Sequence, residues 1–225
     1  MLKKSLLLLI SISSLFFSCT NSTVEPNYDR LGFQFFPLQK QDITYQVEEI
    51  YYRNTGEIDT LRYLLIDQLT DSSQLSNKLI LSGYRIKQEL NGSKTVLSTV
   101  SYSKDDYTVL QSLGNTEEIK LSFPVEEGLE WNGKPKQDEP DLFSLFKVFQ
   151  PFETADSSFN ETVQVIQEDT QDSLDIFDKR MEVYAADVGM IYRLSSYLDF
   201  CTNVDCFGLQ EIDSGRTIQM KRILL

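Results

Sequence analysis

From Ile43 onward the chain repeats with a period of two, and this repeat limits its fold more than any other feature. A strand turns successive side chains to opposite faces, so alternating apolar and polar residues make half-buried strands. Ile43, Tyr45 and Val47 alternate with Thr44, Gln46 and Glu48; the apolar phase then moves to Ile50 and Tyr52, as a bulge would make it do. Asn54-Thr-Gly56 is a turn, and residues 59–68 return with Leu61, Tyr63 and Leu65 on one face. Leu64 and Ile66 load the other face, which predicts cover on both sides. Asn91-Gly92 separates strands over 79–90 and 94–103, and Gly114-Asn115 separates 106–113 from 117–123, where Ile119, Leu121 and Phe123 share a face.

Phe33 to Leu38 reads as an extended lead-in, and the Gly-, Pro- and charge-rich stretch 126–140 breaks the pattern. Five further strands follow, over 143–154, 159–168, 177–186, 190–198 and 217–225, with Asp187-Val-Gly189 as a turn. A short helix between Asp141 and Phe146 is the one helical expectation. The count of about nine to eleven strands predicts a mainly β fold, an antiparallel sheet, sandwich or open half barrel.

The N-terminus sets the address. Lys3 and Lys4 precede an uncharged, mostly apolar run from Ser5 to Phe17, too short to span a bilayer, and Ser18 is a small residue before Cys19. This arrangement resembles the lipobox of bacterial lipoproteins, in which the cysteine is acylated and becomes the new N-terminus. The expected organisation is a signal peptide over 1–18, an acylated cysteine and flexible tether over 19–30, and one β-rich domain over 31–225. Lys3 and Lys4 are two of 21 basic residues, against 34 acidic ones, so losing 1–18 would take the formal charge from −13 to −15. Such an excess argues against nucleic acid or an anionic lipid surface as partner. Membrane attachment would come through the N-terminal acyl chains. Thr20 follows the cysteine where some Gram-negative bacteria use an inner-membrane-retaining aspartate, so the outer membrane is expected.

No histidine occurs anywhere, which removes Ser-His-Asp and Cys-His nucleophiles, histidine general bases and histidine-bound zinc. No phosphate loop, dinucleotide fingerprint or nucleophile elbow is present, and no cofactor is implied. Cys201 and Cys206, five positions apart, are expected to form a disulfide in an oxidising compartment, a metal-bound or reduced pair being the alternative. The acidic pairs Glu48-Glu49, Asp105-Asp106, Glu117-Glu118 and Glu126-Glu127 read as solvated surface, and Asp169 to Asp175 as an acidic turn. Asp172-Ser173-Leu174 resembles the Asp-Ser/Thr-hydrophobic pattern of Bacteroidota O-glycosylation, which makes Ser173 a candidate for modification. Trp131, in a glycine-flanked segment, is the candidate ligand-binding aromatic; Tyr45, Tyr51, Tyr52, Tyr63 and Tyr192 read as core and cross-strand packing.

The lipobox, Phe35-Phe-Pro-Leu38, the strand from Ile43 to Tyr52, Phe123-Pro124, Gly128-Leu-Glu-Trp-Asn-Gly133 and Tyr184-Ala-Ala-Asp-Val-Gly-Met-Ile-Tyr-Arg193 together resemble a group of Bacteroidota (Cytophagia-like) outer-membrane lipoproteins of unknown function. The resemblance spans most of the chain after Cys19. Members of that group usually carry a Gly, and often a Trp, after the first Phe-Pro-Leu; Gln39 to Thr44 here has neither. The resemblance implies an address and brings no catalytic residue. The expected role is a lipid-anchored, non-enzymatic envelope module that binds or supports an envelope protein or an apolar or saccharide ligand. The alternatives are a half-barrel lipid or lipoprotein carrier and, last, a carboxylate-based hydrolase.

Overall fold

The computed structural model describes residues 28–172 and 174–224. Cys19 and Ser173 lie outside them. Twelve strands form one antiparallel sheet: β1 (Asp42–Tyr52), β2 (Ile58–Leu75), β3 (Lys78–Glu89), β4 (Lys94–Lys104), β5 (Thr108–Leu113), β6 (Thr116–Ser122), β7 (Glu130–Asn132), β8 (Leu142–Glu153), β9 (Ser158–Asp172), β10 (Ile176–Ala185), β11 (Gly189–Phe200) and β12 (Ile212–Arg222). The first six strands run outward from β1 in sequence order, the last six run inward to β12, and β1 pairs with β12 in the middle.

The sheet curls into a nearly closed barrel. Its two outer strands meet again: the Ile119 N–H donates to Gly133 O at 2.8 Å, and the Trp131 indole N–H donates to Ile119 O at 2.9 Å. Wrapping a sheet on itself leaves little free edge and hence little template for aggregation.

Hairpin by hairpin the strands follow the sequence reading, with physical departures. The 141–146 stretch is strand, because Phe143 and Leu145 alternate inward and pair with Trp131 and Val165. β2 runs on to Leu75 through polar residues, since ladder hydrogen bonds to β3 need no apolar side chains. Residues 28–35 form two 3-10 turns instead of an extended lead-in. Gly32 between them has φ 82°, and a Cβ there would overlap the Val125 side chain.

The phase change expected at Ile50 does not occur. The β1–β2 register runs unbroken from Asp42 to Tyr52, and Glu49 itself takes the inward position. It is buried against Arg216 and accepts hydrogen bonds from Tyr51 at 2.9 Å and Tyr63 at 3.3 Å. Ile119 and Leu121 likewise do not share a face. Lys120 has no partner on β5, and this bulge turns both Lys120 and Leu121 into the barrel.

The barrel has two unlike ends. One is plugged by the N-terminal turns. Phe35 is fully buried, and the Phe36 ring packs 5.4 Å from Tyr102 and 5.9 Å from Tyr184. Lys104 ties the plug by donating to Phe33 O at 2.7 Å and Phe36 O at 2.8 Å. Val47, Leu81, Val100, Val109, Leu121, Phe143 and Val165 continue the apolar core. The other end, reached by the β1–β2, β3–β4, β5–β6, β7–β8, β9–β10 and β11–β12 connections, is the mouth.

A charged cleft in the mouth as candidate functional site

Midway along the barrel the apolar core gives way to a layer of buried charge. Asp67 and Arg85 face each other across β2 and β3, and Arg85 donates to both Asp67 oxygens at 2.6 Å. Tyr102 donates to Asp67 at 2.7 Å, and Gln111 donates to the Tyr102 oxygen at 2.6 Å. Each partner stands on the next strand, so the network is a row across β2 to β5. Burial opposes the Arg85 charge, but the Asp67 carboxylate outweighs it and holds the guanidinium protonated.

A second set bridges the interior. Lys120 donates to Glu118 at 2.5 Å and also to Glu182 on β10. Tyr184 donates to the other Glu182 oxygen at 2.5 Å, and Gln167 donates to Glu118 at 3.2 Å. Burial alone would raise the Glu118 carboxyl, but Lys120 beside it holds it below the usual carboxylate range. Among the described residues no buried side-chain nitrogen or oxygen lacks a partner. A buried ion pair is tolerable only when so satisfied.

Above this layer lies a cleft of about 430 Å³. Its floor is Arg85, Gln111, Glu118 and Arg193; its rim is Asn115 of the β5–β6 turn and Thr116 at the start of β6, with Lys134, Lys136 and Gln137 of the β7–β8 loop. That loop is held in place by ion pairs from Lys134 to Asp141 and from Lys136 to Glu117, the latter at 2.8 Å. Of the four cleft cations, Arg193 has the longest carboxylate contact. Its one carboxylate contact is at 3.6 Å, to a Glu182 oxygen that already takes Lys120. Four cations and two acids line the cleft, in a chain with 34 acidic and 21 basic residues. Asp67, Asp141 and Glu117 offset Arg85, Lys134 and Lys136, so the positive charge open to a ligand is centred on Arg193.

On the plug side of the charged layer a pocket of about 30 Å³ is lined by Phe36, Tyr45, Tyr102 and Met220 together with Arg85, Lys120 and Glu182. A hollow of about 550 Å³ on the outer face, where β8 bends with positive φ at Lys147 and Phe149, is larger than the cleft but more open.

The residues singled out in the sequence fall elsewhere. Cys201 and Cys206 are joined by a disulfide with their Cα atoms 5.8 Å apart, which leaves no thiolates for a metal. Among the described residues no three Cys, Asp or Glu side chains converge as a metal site requires. Trp131 does not line the cleft. It is half-buried on the seam, its ring edge-on to Phe143 at 6.1 Å. The acidic pairs are not all solvated: Glu49 is buried and Glu118 lines the interior. Asp105 instead caps a turn, accepting from Tyr107 and Thr108 N–H groups at 2.9 and 2.8 Å, and Glu127 accepts from the backbone of Lys147 and Val148. Apart from the Glu117-Glu118 pair, the cleft residues and the buried charges beneath them went unnoticed because a strand pattern reads charge as outward-facing. The one available hint was a charged residue in an apolar setting, as at Asp67 after Leu64-Leu-Ile66 and Lys120 between Ile119 and Leu121.

No protein-family model matches the chain, and no curated protein matches it. Two solved structures are similar. One is a candidate exported protein of Bacteroides fragilis with a YmcC-like fold, 11% identical, covering 84% of this chain and 99% of its own, with a TM-score of 0.45. The other is a candidate lipoprotein of Parabacteroides distasonis, 11% identical, covering 83% of this chain and 98% of its own, with a TM-score of 0.36. Neither likeness bears on what this chain binds.

Proposed function

We infer that the chain is a lipid-anchored cell-envelope binding module that takes an acidic oligosaccharide in the mouth of its barrel. The carrying observation is the cleft: about 430 Å³, within the roughly 300–1,000 Å³ of small-ligand sites, and lined by four cations and three amides beside Glu117, Glu118, Thr116 and Leu113. A ligand with hydroxyls and carboxylates matches that lining, because Arg193 offers guanidinium donors while Gln111, Asn115 and Gln137 offer donors and acceptors in pairs.

The described chain starts at the plugged end, so an acylated Cys19 would attach there and leave the mouth on the opposite side. Acylation at Cys19 and an outer-membrane address rest on the N-terminal sequence alone.

The pocket on the plug side speaks against an acyl carrier, since its roughly 30 Å³ falls far below the roughly 300–1,000 Å³ of small-ligand sites and its lining is partly charged. A carboxylate hydrolase is favoured still less. Glu118 sits against Lys120, which holds its carboxyl below the usual carboxylate range and so opposes a proton-donating acid.

A panel of immobilised envelope-type oligosaccharides, neutral and uronate-bearing, tests the reading. Binding is expected for the uronate-bearing members, and Arg193→Met should weaken it at least about tenfold. Equal binding to neutral members, or none to any, would remove the proposal.

A further inference from the structure

The loop joining β11 to β12 is built as a presented tip. The Cys201–Cys206 disulfide closes it, and Cys206 is buried beneath it. The N–H groups of Cys206 and Phe207 donate to Asn203 O at 3.1 and 2.9 Å, and that of Leu209 donates to Cys206 O at 3.0 Å. At its base the Cys201 N–H donates to Glu211 O at 2.8 Å. The Phe200 N–H donates to Asp175 O at 2.7 Å, which fastens the loop to the neighbouring hairpin. With so many fixed points, little conformational entropy remains to be lost when the loop is covered.

What this frame displays is apolar. Val204 is 99% exposed, Phe207 54% and Leu209 64%. Single exposed apolar side chains are ordinary on any surface. Three within six residues, on a loop whose bridge and turns hold them outward, resemble the rigid anchor residues of a protein interface.

Charge says what can cover them. From Asp199 to Gly215 the segment carries Asp199, Asp205, Glu211 and Asp213 and no lysine or arginine. A second copy would bring the same acids to the same tip, on a chain already at −13. An anionic bilayer surface is repelled in the same way. The described chain begins at Tyr28, at the opposite end of the strands, and the sequence from Thr20 to Asn27 holds a single aliphatic side chain, Val24. β12 alone runs 11 residues, about 36 Å, between the two ends.

We propose that this tip docks into an envelope protein whose apolar pocket is rimmed by lysine or arginine. The interaction is independent of the cleft: it stands whether or not a saccharide binds there, because the loop does not line the cleft.

The test is in-cell photo-crosslinking of the full-length protein carrying Val204→p-benzoylphenylalanine, with Tyr107→p-benzoylphenylalanine at the plugged end as control. The expected result is one protein adduct from position 204 and none from 107, mapped to a surface with Lys or Arg around an apolar pocket. Asp205→Lys with Glu211→Lys should cut its yield at least about tenfold, as should Phe207→Ser. These side chains are exposed, so unchanged Trp131 fluorescence and an unchanged melting transition verify that each variant is folded. Adducts only to lipid, only to a second copy, equally from position 107, or unaffected by the charge reversal would each overturn the proposal. So would the absence of any adduct.

Discussion

Lys120 stands on a bulge between two carboxylates, and its replacement by methionine is expected to cost about 3–5 kcal/mol. Glu182 is fully buried, so losing the ammonium leaves a charge that water cannot reach. Lys120→Met combined with Glu182→Gln should recover part of that loss, because the uncompensated charge goes with it. Urea unfolding followed through Trp131, the sole tryptophan, measures both. A single-variant loss under about 1 kcal/mol would mean that the charged layer is not part of what holds the barrel. Lys104 gives a different signature. Burial among the plug residues lowers its ammonium pKa to about 8. Below that pH it is protonated both folded and unfolded; from about 8 to its ordinary 10.5 only the unfolded chain holds the proton, so stability should rise with pH. Tyr45, Tyr102 and Tyr184 act in the reverse sense. Burial raises their phenol pKa values above 10.0, so the stability they lend is complete below that value and is lost above it. The midpoint of denaturation should therefore climb from pH 8 towards 10 and then fall, and Lys104→Met should flatten the climb.

At the scale of strands and turns, the local grammar of the sequence carried far. Asn91-Gly92 and Gly114-Asn115 sit in hairpin turns, and alternation located the strands on either side, because a turn dipeptide and a period of two are properties of a few neighbouring residues. The interior charges were illegible for the complementary reason. Asp67 meets Arg85 18 residues away and Lys120 meets Glu182 62 residues away, so no window of sequence contains both partners. The bulge at Lys120 left no mark in the alternation of 117–123, and Glu49 looked like an interruption when it was the inward residue. The plug was missed because its geometry depends on Gly32 lying against Val125, a contact made only when β6 and the N-terminus meet. Gly32→Ala should destabilise the domain by about 1–3 kcal/mol, through the strained positive φ and the clash with Val125 together. Thermal or urea unfolding measures it; an unchanged midpoint would show that the plug is not a structural element of the barrel.

Across the whole molecule, function divides by end. The described chain begins at the plugged end, the middle is an apolar core capped by satisfied charge, and the mouth presents the cleft and the disulfide-held tip. A barrel filled in this way is a rigid stand for its loops, and binding residues on loops over a rigid scaffold are a common arrangement. In the proposed role, Cys19 holds that stand on a membrane. Cys19→Ser should abolish incorporation of labelled fatty acid and move the protein from the membrane to the soluble fraction; a variant that stays in the membrane fraction would refute the anchor. The central claim, that the mouth cleft is the binding site, is tested most directly by locating a ligand on the protein. Titration of the isotope-labelled mature domain with a uronate-bearing oligosaccharide should shift the NMR signals of the Arg193 side chain, Gln111, Asn115 and Thr116 and leave the plugged end unmoved. Shifts confined to the outer face around Phe146 and Met181, or no shifts at all, would contradict it.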